Sequence, residues 1–433
     1  MAILKKIALY ALGPIGVSGI SFLVIPILAW KYSPNVVADY AVLQAIIAFG
    51  VLFFTLGSDQ ALFRDYYESK NKPQLLKNVL VISIVPMTCI ILILSIFWNF
   101  FGSYIYTINS IWIASFTLLS VFFAVINRLL SLIQRLENQA FLFSVSQFLP
   151  KLLFLIAILV PVFTNDPNFY WVAGGQAFGL LVVNLYFFYI NKKILIHSYF
   201  SSVDKILIKK LLDYGLPLLI SNILFWLLRY ADRFYVKYLS DNNELAMYAL
   251  ATSVSGGFAI LGTLFNTIWV PKALRLYEKN DLDVEYLEKV AFLVSFIGLL
   301  IIILTFSLKS LIAQILPSMY SNIVYLLPLL ILPTLYYTVA EIAGIGIALS
   351  KKTSKMVFVS TISALLHFGL SFLLIPKYGA LGAAISIAVA FYFYLLLKAF
   401  FAAKVWSKSF SKLELGINLI CLMYSLAIGF RWI

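Results

Sequence analysis

Apolar runs of roughly 20 residues recur along nearly the whole chain, broken only by short polar segments. A helix must be about that long to cross a hydrocarbon core of about 30 Å. In hydrocarbon every backbone N–H and C=O has to be satisfied within the structure itself, so such runs are read as helices. Spans are expected at 8–30, 39–62, 78–101, 110–133, 141–163, 170–190, 212–238, 244–270, 290–313, 325–349, 356–376, 380–402 and 414–431, about thirteen in all. Of 433 residues 63% are hydrophobic and 12% charged, which excludes a solvated globule and leaves little for a soluble domain. The first span follows Lys5 and Lys6 as a signal peptide would. Its apolar run exceeds the usual length of about 7 to 15 residues and shows no convincing small-residue cleavage site, so it is expected to be retained.

Basic residues set the expected orientation, because cytoplasmic loops of inserted helices carry the excess of Lys and Arg. With the N-terminus in the cytoplasm, 24 of the 32 Lys and Arg fall on that side, in segments such as "RDYYESKNKPQLLK" (64–77), "NKKILIHSYFSSVDKILIKK" (191–210) and "KKTSK" (351–355). Five fall outside, Lys31, Lys237, Lys309, Lys377 and Arg431, and three within spans, Lys151, Arg229 and Arg233. The net charge of +14 therefore expresses topology and is no nucleic-acid signal. Cys89 and Cys421 lie in apolar helices, and His197 and His367 are too few for a cluster, so neither a disulfide framework nor a metal site is expected. No external loop is long enough for a domain, which argues against receptors and against enzymes working through a large outer loop. Neither enzymatic activity nor a cofactor is expected.

An internal repeat organises the chain. "LYALGPIGVSGISF" (9–22) is echoed by "LLDYGLPLLISNILF" (211–225), and "DYAVLQAIIAFG" (39–50) by "MYALATSVSGGF" (247–258). "WVAGGQAFGLLVVNLYFFYINKK" (171–193) is matched by "YGALGAAISIAVAFYFYLLLK" (378–398), an offset of about 205 residues. Two six-helix halves that both start and end inside have the same topology, as in parallel-repeat transporters. The expected fold is an all-α polytopic membrane protein with two six-helix lobes, 1–193 and 211–405, around a central cavity. A basic cytoplasmic linker, 194–210, joins them, and an additional helix occupies 406–433. Prolines inside spans, among them Pro86, Pro150, Pro217 and Pro333, permit bends, and Gly175-x-x-x-Gly179 suits close helix packing.

Charges inside the spans are the candidate site. A Lys or Arg at mid-bilayer costs on the order of 3 kcal/mol on insertion scales, so one kept there faces the bundle interior or water. Lys151 lies near the middle of the fifth span with no acid within a turn. Arg229 and Arg233 stand four residues apart in "WLLRYADRFYVKYLS" (226–240), on one face of the seventh span, with Asp232 on a neighbouring ridge. Two readings stay open: an Arg229–Asp232 ion pair that fixes packing while Arg233 snorkels outward, or a cationic wall shared with Lys151. Glu341, in the tenth span, could pair with Lys151 or carry a proton, and His367, in the eleventh, could titrate near neutrality or simply pack. Asp59, Arg64, Arg128 and Arg135 lie near cytoplasmic ends as topology anchors, with Asp59 and Arg64 also placed to line an inward entrance. Positive charge outweighs negative in this set. That suits an anionic substrate, and arginine forks suit a pyrophosphate head group.

Over about residues 1–405, through the repeat, "YGLPLLISNILFWLLRYADRFYVKYL" followed by "NELAMYALATSVSG", and "YGALGAAISIAVAFYFYLLL", the chain resembles the Wzx-like polysaccharide-export flippases of the multidrug/oligosaccharidyl-lipid/polysaccharide superfamily. The resemblance implies a bacterial inner-membrane flippase working by alternating access. Its substrate would be an undecaprenyl-pyrophosphate-linked oligosaccharide, moved from inner to outer leaflet for O-antigen, capsule or exopolysaccharide assembly. It also implies that the basic lumen maps onto Lys151, Arg229 and Arg233; by their place in or near the spans, Asp232, Glu341, His367 and Asp59 are the candidates for proton or sodium coupling or for pairing in the cavity. Membrane lipids, a polysaccharide polymerase and a chain-length regulator are the implied partners. Two alternatives remain: a drug/cation antiporter of the same superfamily, whose usual first-helix carboxylate is missing from 8–30, and a non-transporting membrane component of a polysaccharide assembly complex. Thirteen spans is an odd number for a family usually built with twelve or fourteen.

Overall fold

The computed structural model describes residues 2–100, 104–278, 283–349, 354–406 and 412–431, and the regular structure among them is helical throughout. Lys351 and Lys352 of "KKTSK", and residues 407–411 of the expected last cytoplasmic loop, lie outside the described residues. By its contacts the chain forms two compact units, Met1–Trp226 and Leu227–Ile433.

The first unit holds α1 (Ala2–Lys31), α2 (Pro34–Thr55), α3 (Ser58–Asp65), α4 (Lys72–Ile96) and the single turn α5 (Trp98–Phe100). It continues through α6 (Ile111–Leu136), α7 (Ala140–Phe163), α8 (Phe169–Ile190), α9 (Lys192–Phe200) and most of α10 (Lys205–Tyr230). The starts of these helices are written locally. Pro34 opens α2, and the side chains of Asn71, Ser110 and Asn168 accept the orphan N–H groups of Gln74, Trp112 and Tyr170. Between α2 and α3 the chain turns through Leu56 (φ 49) and Gly57 (φ 70). A Cβ on Gly57 would stand 2.2 Å from the Gly215 carbonyl oxygen, so the backbone of α10 rests directly on this corner and glycine is needed on both sides. Between α7 and α8, a Cβ at Gly175 would meet Ala157 at 2.6 Å and one at Gly179 the Pro150 carbonyl at 2.8 Å. The Gly-x-x-x-Gly spacing thus does the close packing expected of it.

The second unit begins with α11 (Asp232–Leu239), α12 (Asn242–Glu278), α13 (Val284–Ser307) and α14 (Lys309–Ile315). A 3-10 segment (Ser318–Tyr325) leads into α15 (Leu327–Ala343), α16 (Ile345–Leu349), α17 (Ser354–Trp406) and α18 (Lys412–Gly429). Among the described residues nine helices are long and apolar enough to cross a membrane, ten if the 3-10 segment and α15, bent by 46°, count as one span. One of the nine, Lys355–Lys404, has 50 residues and would run about 75 Å if straight, more than two hydrocarbon cores. It breaks at Gly379 (φ 52, ψ −127), and the Glu244 carboxylate accepts the freed Ala380 N–H at 2.7 Å. The eleventh and twelfth expected spans therefore meet at a capped corner. The last helix is bound into the second unit: the Tyr336 hydroxyl donates to the Asn418 carbonyl at 2.9 Å, and the Asn418 amide to Ser295 at 3.0 Å. Leu92, Ile96, Phe163, Leu365 and Phe372 are exposed, a surface that requires lipid around it.

Candidate functional site

In the first unit Lys151, on α7, extends its ammonium to the Gln44 side-chain oxygen on α2 at 2.8 Å. The Gln44 amide in turn donates to Gln176 on α8 at 3.2 Å. Pro150 and Gly179 set this geometry, because the close approach of α7 and α8 brings the two side chains toward the same face of α2. The Phe154 ring lies 5.9 Å from the Lys151 nitrogen. Among the described residues the lysine is held by an amide oxygen and an aromatic ring, with no carboxylate in ion-pairing distance. Trp226, at the end of the first unit, packs on the same helix, donating to the Ala45 carbonyl at 3.3 Å and tilting against Phe49.

In the second unit the expected continuous helix over 212–238 is broken at Ala231, between α10 and α11. A regular helix would bond the Arg233 N–H to the Arg229 carbonyl. Here that N–H goes to the Asp232 carboxylate at 2.8 Å, and the Arg229 carbonyl takes the Arg233 guanidinium at 3.1 Å. Side chains replace the backbone ladder. The same guanidinium pairs with Asp232 at 2.9 Å, and the Tyr248 hydroxyl donates to the second carboxylate oxygen. Asp232, 1% exposed, is thus paired with Arg233. The side chain of Arg229 is exposed. His367, also 1% exposed, stands edge-on to Tyr235 at 6.1 Å and within the field of Asp232. On α17, His367 Nε2 and the hydroxyls of Ser363 and Ser371, spaced four residues apart on one face, have no hydrogen-bond partner among the described residues.

Glu341 is paired by Lys398 of α17 at 2.6 Å, a partner the sequence reading does not offer. Lys398 is 1% exposed, with the rings of Tyr394 and Tyr337 at 5.5 and 6.0 Å. Arg229, Glu341 and Lys398 all act electrostatically on Tyr337. The stem of Lys398 passes over the break between α15 and α16, where a Cβ on Gly344 would fall 2.4 Å from its Cε. Gly344→Ala is expected to destabilise the protein by about 1–3 kcal/mol, because the pinned ammonium leaves the stem little room to shift. The measurement is thermal stability in detergent by size exclusion, and wild-type melting would contradict it.

The charges near the ends of spans in the first unit are drawn into one group. Asp59, Gln60, Phe63, Arg64, Arg128, Leu132, Arg135 and Tyr214 line a cleft of about 570 Å³. Arg128 forks onto Asp59 through Nε at 3.1 Å and Nη2 at 2.8 Å. Arg64 forks onto Asp65, with its second bond at 2.9 Å, and stacks on Tyr214 at 3.8 Å. Lys210 reaches Asp65 at 3.3 Å. The bond from Arg64 holds the Asp65 carboxyl below the usual carboxylate range, with burial opposing and Lys210 assisting. Because the folded value is depressed, the stability this acid contributes is present above the ordinary value of about 3.9 and is lost as pH falls through the lowered one. Melting of the Asp65→Asn variant should therefore show less loss on acidification below about pH 4 than the wild type does. Parallel melting curves would contradict this.

Sequence reasoning missed Gln44, Tyr248 and Lys398 as partners. Only Lys398 carries a signal, since it falls inside the expected twelfth span.

A model of the polysaccharide biosynthesis protein family matches residues 3–273. No curated protein matches the chain. Among solved structures, the lipid II flippase MurJ in an inward closed conformation is similar over 98% of this chain and 99% of that one, with a TM-score of 0.70 and 16% identity. The inward-facing conformation of a multidrug resistance MATE family transporter of the MOP superfamily is similar over 91% and 96%, at 0.66 and 17%. The outward-facing conformation of such a transporter is similar over 94% and 95%, at 0.56 and 16%. At these identities the likeness is one of fold, and it is the fold of the superfamily that the sequence resembles.

Proposed function

The chain belongs to the polysaccharide biosynthesis protein family, and on that premise we propose that it is an alternating-access flippase for undecaprenyl-pyrophosphate-linked oligosaccharide. The glycan moves from inner to outer leaflet of a bacterial inner membrane, the N-terminus lying in the cytoplasm, and feeds O-antigen, capsule or exopolysaccharide assembly. The observation that carries this reading is Lys151, a cation in mid-span held by Gln44 and by no carboxylate among the described residues. Such a group attracts an anion entering the bundle and binds it without first breaking an ion pair. Arg229 and Arg233 add guanidinium donors, whose planar forks match phosphate oxygens. With the cell interior negative, outward movement of roughly two negative charges is favoured by ~4 to 5 kcal/mol per 100 mV. Asp232 and His367, buried together beside the broken helix, are the groups through which a proton or sodium ion would couple to the cycle.

The test is depletion of the protein in cells with no second flippase for the same glycan, followed by leaflet-resolved analysis of lipid-linked intermediates. Accumulation in the inner leaflet is expected. Arrival in the outer leaflet at the normal rate would overturn the proposal.

A further inference from the structure

We propose that the junction of α8 and α9 is a binding site for an anionic phospholipid of the surrounding membrane. The junction is built rather than frayed. Asn191, buried between the two helices, donates from its amide to the Phe187 carbonyl at 2.8 Å, and its side-chain oxygen accepts from Gln134 of α6 at 2.8 Å. Beyond it, α4 clasps the segment that follows. Lys77 donates to the Tyr199 carbonyl at 2.7 Å and Gln74 to the Ser202 hydroxyl at 3.1 Å, while the Asn78 side chain accepts the Asp204 N–H at 2.9 Å. The path from α8 to α10 is thereby fixed within the first unit.

This fixed segment turns apolar side chains outward. Tyr199 is 73% exposed, Phe200 80% and Ile206 83%, an arrangement that water penalises and a bilayer surface does not. Phe188, Lys192, Leu195, Ile196, Tyr199 and Phe200 line a groove of about 310 Å³, room for a phosphate head group and the first carbons of an acyl chain. Lys192 stands four residues from Phe188 and four from Ile196, so an anion at its ammonium has an apolar wall on either side. Its nitrogen lies 4.7 Å from the Tyr189 ring, and it forms no ion pair among the described residues. Lys193, Lys205 and Lys209 are exposed along the same segment, and a basic cluster of this kind beside a span attracts anionic lipid. Depth agrees. The chain leaves α8 at Ile190 and enters α10 at Lys205, both helices long and apolar enough to cross a membrane, so residues 191–204 belong to its surface. A topology anchor alone needs the lysines. It explains neither the outward rings nor the groove around Lys192.

The probes are dioctanoyl phosphatidylglycerol, dioctanoyl phosphatidylcholine, glycerol phosphate and farnesyl diphosphate, titrated onto the full chain in detergent micelles and counted by native mass spectrometry. Phosphatidylglycerol is expected to bind at least tenfold more tightly than phosphatidylcholine, with glycerol phosphate unbound. Lys192 and Phe200 are exposed, so Lys192→Gln and Phe200→Ser should insert and melt as the wild type does. Lys192→Gln should abolish the preference for the anionic head group, Lys192→Arg should keep it, and Phe200→Ser should weaken both lipids. Equal affinities in the wild type, no binding of either lipid, or an undiminished preference in Lys192→Gln overturns the site. Farnesyl diphosphate binding more tightly than phosphatidylglycerol and displacing it, with this lost in Lys192→Gln, gives the groove to a prenyl diphosphate and overturns the phospholipid. Depth is read separately, in proteoliposomes, from a fluorophore on Phe200→Cys in a Cys89→Ser background, since Cys89 is exposed. Quenching by brominated lipid is expected. Quenching by aqueous iodide alone overturns the proposal and marks the face as a surface for another protein.

Discussion

Glu341→Ala is expected to destabilise the second unit by about 3–5 kcal/mol, the range for breaking a buried ion pair from one side. The size of the effect follows from which partner remains. Lys398 is 1% exposed and is enclosed by Tyr337, Tyr394 and the break at Gly344, so removal of the acid leaves an ammonium that cannot reach water. The reverse substitution, Lys398→Met, removes the fully buried charge and fills the same channel with an apolar stem. It leaves Glu341, whose side chain is 20% exposed, and should be the milder of the two. Glu341→Gln with Lys398→Met should recover most of the loss, because neither position then carries a charge. Thermal unfolding in detergent ranks the three, and Glu341→Ala melting like the wild type would refute the pairing as a structural element.

The second large effect concerns transport. Lys151→Gln keeps a donor for Gln44 while removing the charge, and Arg229→Gln does the same on the second unit. Each is expected to lower the rate of glycan translocation by about tenfold to a hundredfold, as the loss of a charged hydrogen bond worth ~1.5–3 kcal/mol would do. Insertion and melting should be unchanged. Lys237→Gln, an outer anchor by the charge distribution, should transport normally. Undiminished transport in both Lys151→Gln and Arg229→Gln would favour a non-transporting role in glycan assembly over a substrate-holding one.

Much of the fold was legible because hydrophobic length, proline and glycine act locally. The apolar runs mark the spans and Gly175 and Gly179 mark the contact of α7 with α8, whereas the corner at Gly379 shows in the sequence only as the gap between the expected spans 356–376 and 380–402. Partnership was not legible, since it depends on how each helix is rotated about its axis. Lys151 was seen as an anomaly, but Gln44, its neutral partner 107 residues away, carries no charge to advertise itself. Lys398 opposes Glu341 across 57 residues, and only its position inside a span hinted at burial. The break at Ala231 has no periodic signature. There the Asp232 carboxylate and the Arg233 guanidinium take the backbone groups that a continuous helix would join, the kind of competition a short acidic side chain offers a helix. Asp59, Arg64, Arg128 and Arg135 read as separate anchors, and the α2–α3 corner at Gly57 draws them into one cleft.

The most direct measurement is transbilayer movement of an undecaprenyl-pyrophosphate-linked oligosaccharide in liposomes reconstituted with the purified chain, followed by accessibility of the glycan to an external lectin. The expected result is movement well above that of empty liposomes, slowed about tenfold to a hundredfold in the Lys151→Gln variant. Movement no faster than in empty liposomes, with the protein inserted and folded, would contradict it.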